Sequence, residues 1–362
     1  MSPKRPKKKM AGWKKAILIT LSVILLLSIG LLTAAVVFIN GKMNLLDRSN
    51  DYSGTVEVVD DSEEQLSFDH LDLDYIDVME NGGKIEPPEG EVNTHDNIVN
   101  ILLIGSDERE EKISSAARAD SMMLLSINTK ENSWKLVSFE RGVGVSIPDH
   151  GDDWLTHTFA YGGPDLLLKT LQDYYKVDVD RYVRINFTIF ETGINDIGGV
   201  EVELTTAEAE YMNEIAGEKR WEAGTTRLDG PTALVYARMR HLDSDWNRIA
   251  RQRKVISAAA KQAADLGWSK INAITDELLP KIETNLTNSE LWKLLLRMPR
   301  LFGGESGQLT VPDQENCWGI QLESGKSLIG CDFEVEARRL DDFLTGKQEE
   351  ESTGSSSESG QN

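Results

Sequence analysis

A layered α/β domain with helices on both faces of a mixed sheet (three layers, α-β-α), preceded by one transmembrane helix, is the fold class this sequence predicts. Three observations carry it. A 24-residue uncharged apolar run, Ala16 to Ile39, follows a basic N-terminus. From residue 97 onward, short apolar runs bounded by turn residues alternate with segments whose apolar positions fall at helical spacing, as strands interleaved with helices do. Several links between strand-like runs are short, which favours some antiparallel neighbours, because parallel pairs need long crossovers.

Residues 1–15 carry Lys4, Arg5, Lys7, Lys8, Lys9, Lys14 and Lys15 and no acid. At about 1.5 Å per residue the apolar run spans roughly 36 Å, enough for a hydrocarbon core of about 30 Å. A cleavable signal peptide has a shorter apolar region, about 7–15 residues. Here the run continues past Thr33-Ala34-Ala35 through Val36, Val37 and Phe38, so residues 16–39 are expected to stay as a signal-anchor. The positive-inside rule then places residues 1–15 in the cytoplasm and the bulk of the chain outside it. The expected location is the cell membrane, single-pass, with the N-terminus cytoplasmic.

The chain holds 39 basic and 60 acidic residues, a formal net charge of −21. Setting aside the seven cytoplasmic cations leaves 32 against 60, or −28, from residue 16 onward. Such a field argues against a nucleic-acid partner, which needs a basic surface. It also repels anionic ligands, so a site for one must gather its own cations.

Residues 40–96 are acidic and irregular, with Asp60-Asp61-Ser62-Glu63-Glu64 and the pair Pro87-Pro88, and read as a stalk or linker. Residues 348–362 are mostly Ser, Glu and Gly and read as a disordered tail. The globular domain is expected between them, at 97–347.

Within it, Ile98 to Gly105 is an apolar run ended by Gly-Ser-Asp, as a buried strand would be. Ser121 to Asn128 and Trp134 to Phe139 read as two further strands joined by a turn. Pro164 to Tyr175 has helical spacing, Tyr182 to Phe187 is a strand and Thr188 to Ile197 a helix. Val200 to Leu204 alternates as a strand, while Gly230 to Ala237 and Arg248 to Leu266 are helical, with more helix expected between Lys270 and Arg297. Cys317 and Cys331 flank a glycine-containing hairpin or loop. Outside the cytoplasm they are expected to form a disulfide, two buried free thiols being the alternative.

Arginine is the informative residue type. Arg238, Arg240, Arg248, Arg251 and Arg253 fall within sixteen positions, together with Asp243 and Asp245. Arg118-Ala-Asp120 sits just before a strand, Arg141 just after one, and Asp107 ends the first strand. Ends of neighbouring strands are where α/β sheets place ligands. Converging guanidinium groups would grip phosphate or pyrophosphate in bidentate fashion, and Asp107 with Asp120 could hold a bridging divalent cation. The same residues spaced this way also form ordinary surface ion pairs, and spacing does not decide between the two. His157, alone in its segment, is expected to pack or orient rather than catalyse.

The order Gly105-Ser-Asp107, Arg118-Ala-Asp120, Arg141, His157-Thr-Phe-Ala-Tyr161-Gly-Gly163, Ile197-Gly-Gly-Val-Glu-Val202, Leu228-Asp-Gly230 to Arg240, and Arg248-Ile-Ala-Arg251-Gln252 resembles the LytR-CpsA-Psr family. The resemblance covers about 97–266, with every block in order. It implies a mixed sheet between helices, an apolar tunnel for lipid, and transfer of anionic glycopolymers (teichoic acids or capsular polysaccharides) from a polyprenyl pyrophosphate carrier to peptidoglycan through a phosphodiester. By the motif match Asp107 and Asp120 would bind Mg²⁺ (or Mn²⁺). Arg118, Arg141, Arg238, Arg240, Arg248 and Arg251 would line the pyrophosphate with Gln252, the first four being the catalytic candidates. Two positions depart from the family pattern: Gly142 stands where aspartate usually follows the arginine, and Thr156 where asparagine precedes the histidine. Glu140 is adjacent, but one step along a strand points to the opposite face. The missing carboxylate favours one rival to the transferase, a non-catalytic binder of lipid-linked polymer; a second rival is a hydrolase of the same pyrophosphate, with water in place of the wall hydroxyl.

Overall fold

The computed structural model describes residues 33, 35–48, 75–76, 85–107, 117–239, 242, 244–301 and 304–347. Residues 1–15, all but the last few residues of the expected anchor, the tail 348–362 and Arg240 lie outside them. No described helix is long and apolar enough to cross a membrane.

The chain opens with Tyr75–Ile76 (β1), Ile98–Ser106 (β2), Ala119–Asn128 (β3) and Ser133–Phe139 (β4), then a small hairpin, Gly144–Ile147 (β5) with Gly151–Trp154 (β6). Helix α1 spans Leu155–Tyr175, nine residues longer at its start than its apolar spacing suggests. It is kinked at Gly162 and Gly163, where Gly163 takes φ +62, a conformation that costs glycine little. Tyr182–Asn186 (β7), Phe187–Asp196 (α2) and Val200–Leu204 (β8) follow as expected. Thr206–Ala216 (α3) opens on a capping box between Thr205 and Glu208. Next come Gly224–Leu228 (β9), Gly230–Ala237 (α4), Asp245–Ala264 (α5) and Trp268–Leu278 (α6). The chain continues through Glu283–Thr284 (β10), Asn288–Leu301 (α7) and Glu305–Val311 (β11). It closes with Cys317–Gln321 (β12), Ser327–Cys331 (β13) and Phe333–Thr345 (α8).

Six strands form the central sheet in the order β10-β7-β2-β3-β4-β11. It is mixed: β2–β3, β3–β4 and β10–β7 are antiparallel, whereas β2–β7 and β4–β11 are parallel. Alternation along the strands separates its faces. Leu102, Leu124, Val137 and Phe139 pack with Leu167, Leu171 and Tyr175 of α1 and Leu340 and Leu344 of α8 in the main core. Leu103, Met123, Val183 and Ile185 look the other way, under α2, α4 and α5. A second core joins the β8–β9 hairpin to α3, α4 and α5 through Val202, Leu228, Met212, Tyr236 and Val255.

Two expectations change. Cys317 and Cys331 stand directly opposite in the antiparallel β12–β13 ladder, yet both are free cysteines in this structure. The Cys317 thiol donates instead to the Asp313 carbonyl at 3.1 Å, and burial pushes both thiols far above their ordinary pKa. Nor is the segment 40–96 a bare stalk in its described parts. Residues 35–43 are helical, Asp47 bridges to Glu283, Asn93 bridges to Val177, and β1 adds to β12. The folded body therefore begins before residue 97.

Candidate active site

The polar residues gather where the ends of β2 and β3 and the turn after β4 meet the first turns of α5. Asp107 closes β2 and is held by Arg118: its carboxylate accepts from the Arg118 backbone N–H at 3.0 Å and from Nε at 3.3 Å. Asp120 sits at a register shift. Gly105 pairs with Ser121 and Ser106 with Ala119, so Asp120 is the extra residue on β3. A bulge re-aims a side chain, and this one turns Asp120 to the cavity on the α5 side of the sheet. Arg141 Nη1 donates to Asp120 Oδ1 at 3.2 Å, and Arg141 Nε lies 3.6 Å from Asp245 Oδ2.

Helix α5 begins three residues earlier than its apolar pattern suggests, because Ser244 caps it by accepting from the Asn247 N–H. That extra turn brings in Asp245, to which Arg248 Nη2 donates at 2.7 Å. Arg248 and Gln252, one turn apart, both line the cavity. Arg238, at the C-terminal end of α4, lines it too and stacks its guanidinium over the Phe187 ring at 4.4 Å. The remaining wall is apolar, with Leu103, Met123, Ile185, Phe190 and Val255 among its residues.

Arg251 does not fit its expected place. It is buried against α3, donating to Glu208 at 3.5 Å and to the Met239 carbonyl at 3.0 Å, and is not among the cavity-lining residues. Three residues along a helix leave an offset of about 60°, so the two side chains start from one side of α5, and the contacts to Glu208 and the Met239 carbonyl carry the Arg251 guanidinium away from the cavity. Its contact with Met239 braces the segment that carries Arg238.

The carboxylate absent at Gly142 has a neighbour that sequence reasoning placed wrongly. Glu140 follows the last residue of β4, where the chain has left the strand, so strict alternation no longer applies. It is wholly buried, one carboxyl oxygen accepts from the Gly142 N–H at 3.1 Å, and the group hydrogen-bonds to Asp245. Burial first, then the Asp245 charge, raise its pKa well above the ordinary glutamate value, against the pull of Arg248 and Arg141. Asp245 in turn faces both Arg141 and Arg248. Thr156, the second departure, ties the same region together: its hydroxyl donates to the Ala119 carbonyl at 2.8 Å and its N–H to the Arg141 carbonyl at 3.1 Å.

His157 is buried, with Nδ1 2.9 Å from Asp153 Oδ2, and Lys326 reaches the other Asp153 oxygen at 2.8 Å. Burial alone would raise the Asp153 carboxyl, but its hydrogen bond to His157, the charge there and Lys326 hold it well below the usual range. His157 is thus packed at the start of α1 and tied to Asp153.

Among the described residues no group of three or more His, Cys, Asp or Glu converges as a metal cage. The carboxylates of Asp107 and Asp120, at the adjoining ends of β2 and β3, suit a cation of the Mg²⁺ kind, which takes one or two carboxylates and fills its other positions with phosphate oxygens and water.

The family model described as the LytR_cpsA_psr family matches residues 73–324. The chain belongs to that family. The LytR-CpsA-Psr match starts at the short strand β1 rather than at residue 97, in keeping with the packed N-terminal segment. The polyisoprenyl-teichoic acid–peptidoglycan teichoic acid transferase TagT of Bacillus subtilis is 36% identical over 222 residues, covering 59% of this chain and 68% of that protein. The structure of TagT bound to LIIa-WTA superposes with a TM-score of 0.57 at 26% identity, over 74% of this chain and 96% of that one. A structure of TagT with bound octaprenyl pyrophosphate lipid gives 0.53 at 25% identity, over 73% and 96%.

Proposed function

We propose that this LytR-CpsA-Psr chain is a membrane-anchored phosphotransferase, moving an anionic glycopolymer of the teichoic acid or capsular polysaccharide type from a polyprenyl pyrophosphate carrier to peptidoglycan. The observation that carries the reading is a single cavity of two characters, with apolar walls beside a rim of Arg238, Arg248, Gln252 and Asp120. A prenyl chain suits the first and a pyrophosphate the second. The named relatives support the same class, since TagT is called a teichoic acid transferase and has been seen with a prenyl pyrophosphate lipid.

In the reaction a hydroxyl oxygen of the wall's muramic acid bonds to the phosphorus that carries the glycopolymer. The bond from that phosphorus to the bridging oxygen breaks, and polyprenyl phosphate leaves with the electron pair. The hydroxyl proton ends on the leaving phosphate or on water. Negative charge builds on the phosphoryl and leaving oxygens, and Arg118, Arg141, Arg238 and Arg248 are the groups that neutralise it. Asp245, pinned by Glu140, keeps Arg141 and Arg248 aimed. Mg²⁺ or Mn²⁺ held by Asp107 and Asp120 would supply a Lewis acid to the same oxygens.

The test uses the full chain in nanodiscs with a short lipid-pyrophosphate glycan, Mg²⁺ and a peptidoglycan oligomer, products being followed by mass spectrometry. A phosphodiester-linked product that is lost in Arg118→Ala and Asp120→Ala supports the transferase. Released glycan phosphate without a joined product would make the chain a hydrolase, and binding without turnover across several acceptors would make it a binder.

A further inference from the structure

The helical segment 35–43 runs antiparallel to α7. Asn288 Nδ2 donates to Asn44 Oδ1 at 2.6 Å, and Trp292 Nε1 donates to Asn40 Oδ1 at 2.7 Å. Each rung advances four residues in both segments, about one helical turn. The next rung sets Val36 level with Leu296. On the flanking side, the Trp268 ring at the start of α6 lies 6.2 Å from the Phe38 ring.

Polarity changes along this pair of helices. On the body side the contacts are polar: Asn40, Asn44 and Arg48 reach α7 and the residues just before it, and Lys42 pairs with Asp276 of α6. On the other side large apolar groups stand in the open, with Leu296 71% exposed, Trp268 67%, Val37 66% and Phe38 43%. Helix α6 buries no residue at all. Scattered apolar residues on a surface need no explanation, but a contiguous group of this kind marks an interaction site.

The chain itself says what covers it. The apolar run that begins at Ala16 ends at Ile39, and the first charge after it is Lys42. A run of that length, if it spans a bilayer, must leave the hydrocarbon within a residue or two of Phe38. Trp268, in ring contact with Phe38, then lies at the level of the headgroups, where tryptophan is enriched. Leu296 and Val37 fall at the same level.

We infer that the face formed by Val37, Phe38, Trp268 and Leu296 is seated in the bilayer surface, so that the start of α6 and one turn of α7 meet the membrane that holds the anchor. The inference builds on the membrane-anchored reading above. It gives the domain a fixed attitude rather than a free tether. Helix α6 packs on α2, and α2 contributes Phe187 and Phe190 to the cavity wall. The cavity is therefore tied to the lipid surface through two helices, α2 and α6.

The experiment places the full chain in nanodiscs whose lipids carry bromine near the headgroup end of the acyl chain, a short-range quencher of tryptophan emission. Wild type is compared with Trp268→Phe and with Trp154→Phe, which removes a tryptophan buried in the body. The expected result is that bromolipid quenching drops in Trp268→Phe and is unchanged in Trp154→Phe. Equal quenching in wild type and Trp268→Phe, from protein that stays with the bilayer in an alkaline wash, overturns the seated face and leaves the anchor standing. Release of the chain by that wash overturns the anchored reading itself.

Discussion

Glu140 and Asp245 bring two carboxyl groups close enough to act on one another, and Arg141 and Arg248 both reach Asp245 Oδ2. Burial and the Asp245 charge push the Glu140 carboxyl well above its ordinary range, and Asp245 faces the two arginines. A glutamate just ahead of Arg141 thereby braces a site whose usual carboxylate just after it is missing.

Glu140→Gln keeps a neutral donor and is expected to retain activity within a few fold. Glu140→Ala leaves Asp245 unbraced and is expected to lose both turnover and about 1–3 kcal/mol of stability. Because the folded-state pKa of Glu140 is raised, its contribution is fully present at acid pH and declines as pH rises above the unfolded value. The stability of Glu140→Gln relative to wild type should therefore increase as pH rises above the ordinary glutamate range. Denaturant melts at several pH values read this directly, and a pH-independent difference would count against a proton held on Glu140.

Arg118→Ala and Asp120→Ala should each lower kcat by about 10²–10³, the usual loss for one preorganised electrostatic partner. Single-turnover assays with saturating lipid substrate separate this from weaker binding. A change confined to KM would place these residues in ground-state binding alone.

Phe187→Ala removes the ring under Arg238. A partly buried cation–π contact is worth about 1 kcal/mol, so affinity for a prenyl pyrophosphate should fall roughly fivefold. Titration with inorganic pyrophosphate, which reads the arginine contact without the apolar wall, checks it and should show a loss of similar size.

Gly230→Ala should destabilise the chain, since an added Cβ would lie 2.1 Å from the Glu191 carbonyl oxygen where α4 meets α2. Backbone cannot retreat as a flexible side chain does, and overpacking of this kind costs about 1–3 kcal/mol. Thermal unfolding of the purified variant reads the loss.

Acid should weaken the start of α1. The Asp153 carboxyl is held low in the folded state by His157 and Lys326, so its contribution is present above the ordinary aspartate pKa and is lost as pH falls below it. Asp153→Asn should flatten the fall in stability between about pH 5 and about pH 3. An unchanged acid profile would show that the pair contributes nothing.

Local pattern determined much of this protein. Alternation and apolar runs located β2, β3, β4, β7 and β8 to within a few residues, because a buried strand writes its burial into consecutive side chains. The ordered blocks from Gly105 to Gln252 identified the family, and the arginine-rich blocks named most of the polar rim. The Thr205–Glu208 capping box was there to be read as the start of α3.

Only the tertiary structure decided which charges face the cavity. Asp120 points there because of a bulge, a property of how two strands register and not of either alone. Arg251 turns away because Glu208, distant in sequence, and the Met239 carbonyl accept from its guanidinium. Glu140 reaches Asp245 across more than a hundred residues, through a turn that ends the strand alternation. Sequence periodicity specifies direction relative to a local axis. Where a side chain ends, and whether it meets an opposite charge or a lipid, is set by the packing of one axis against another.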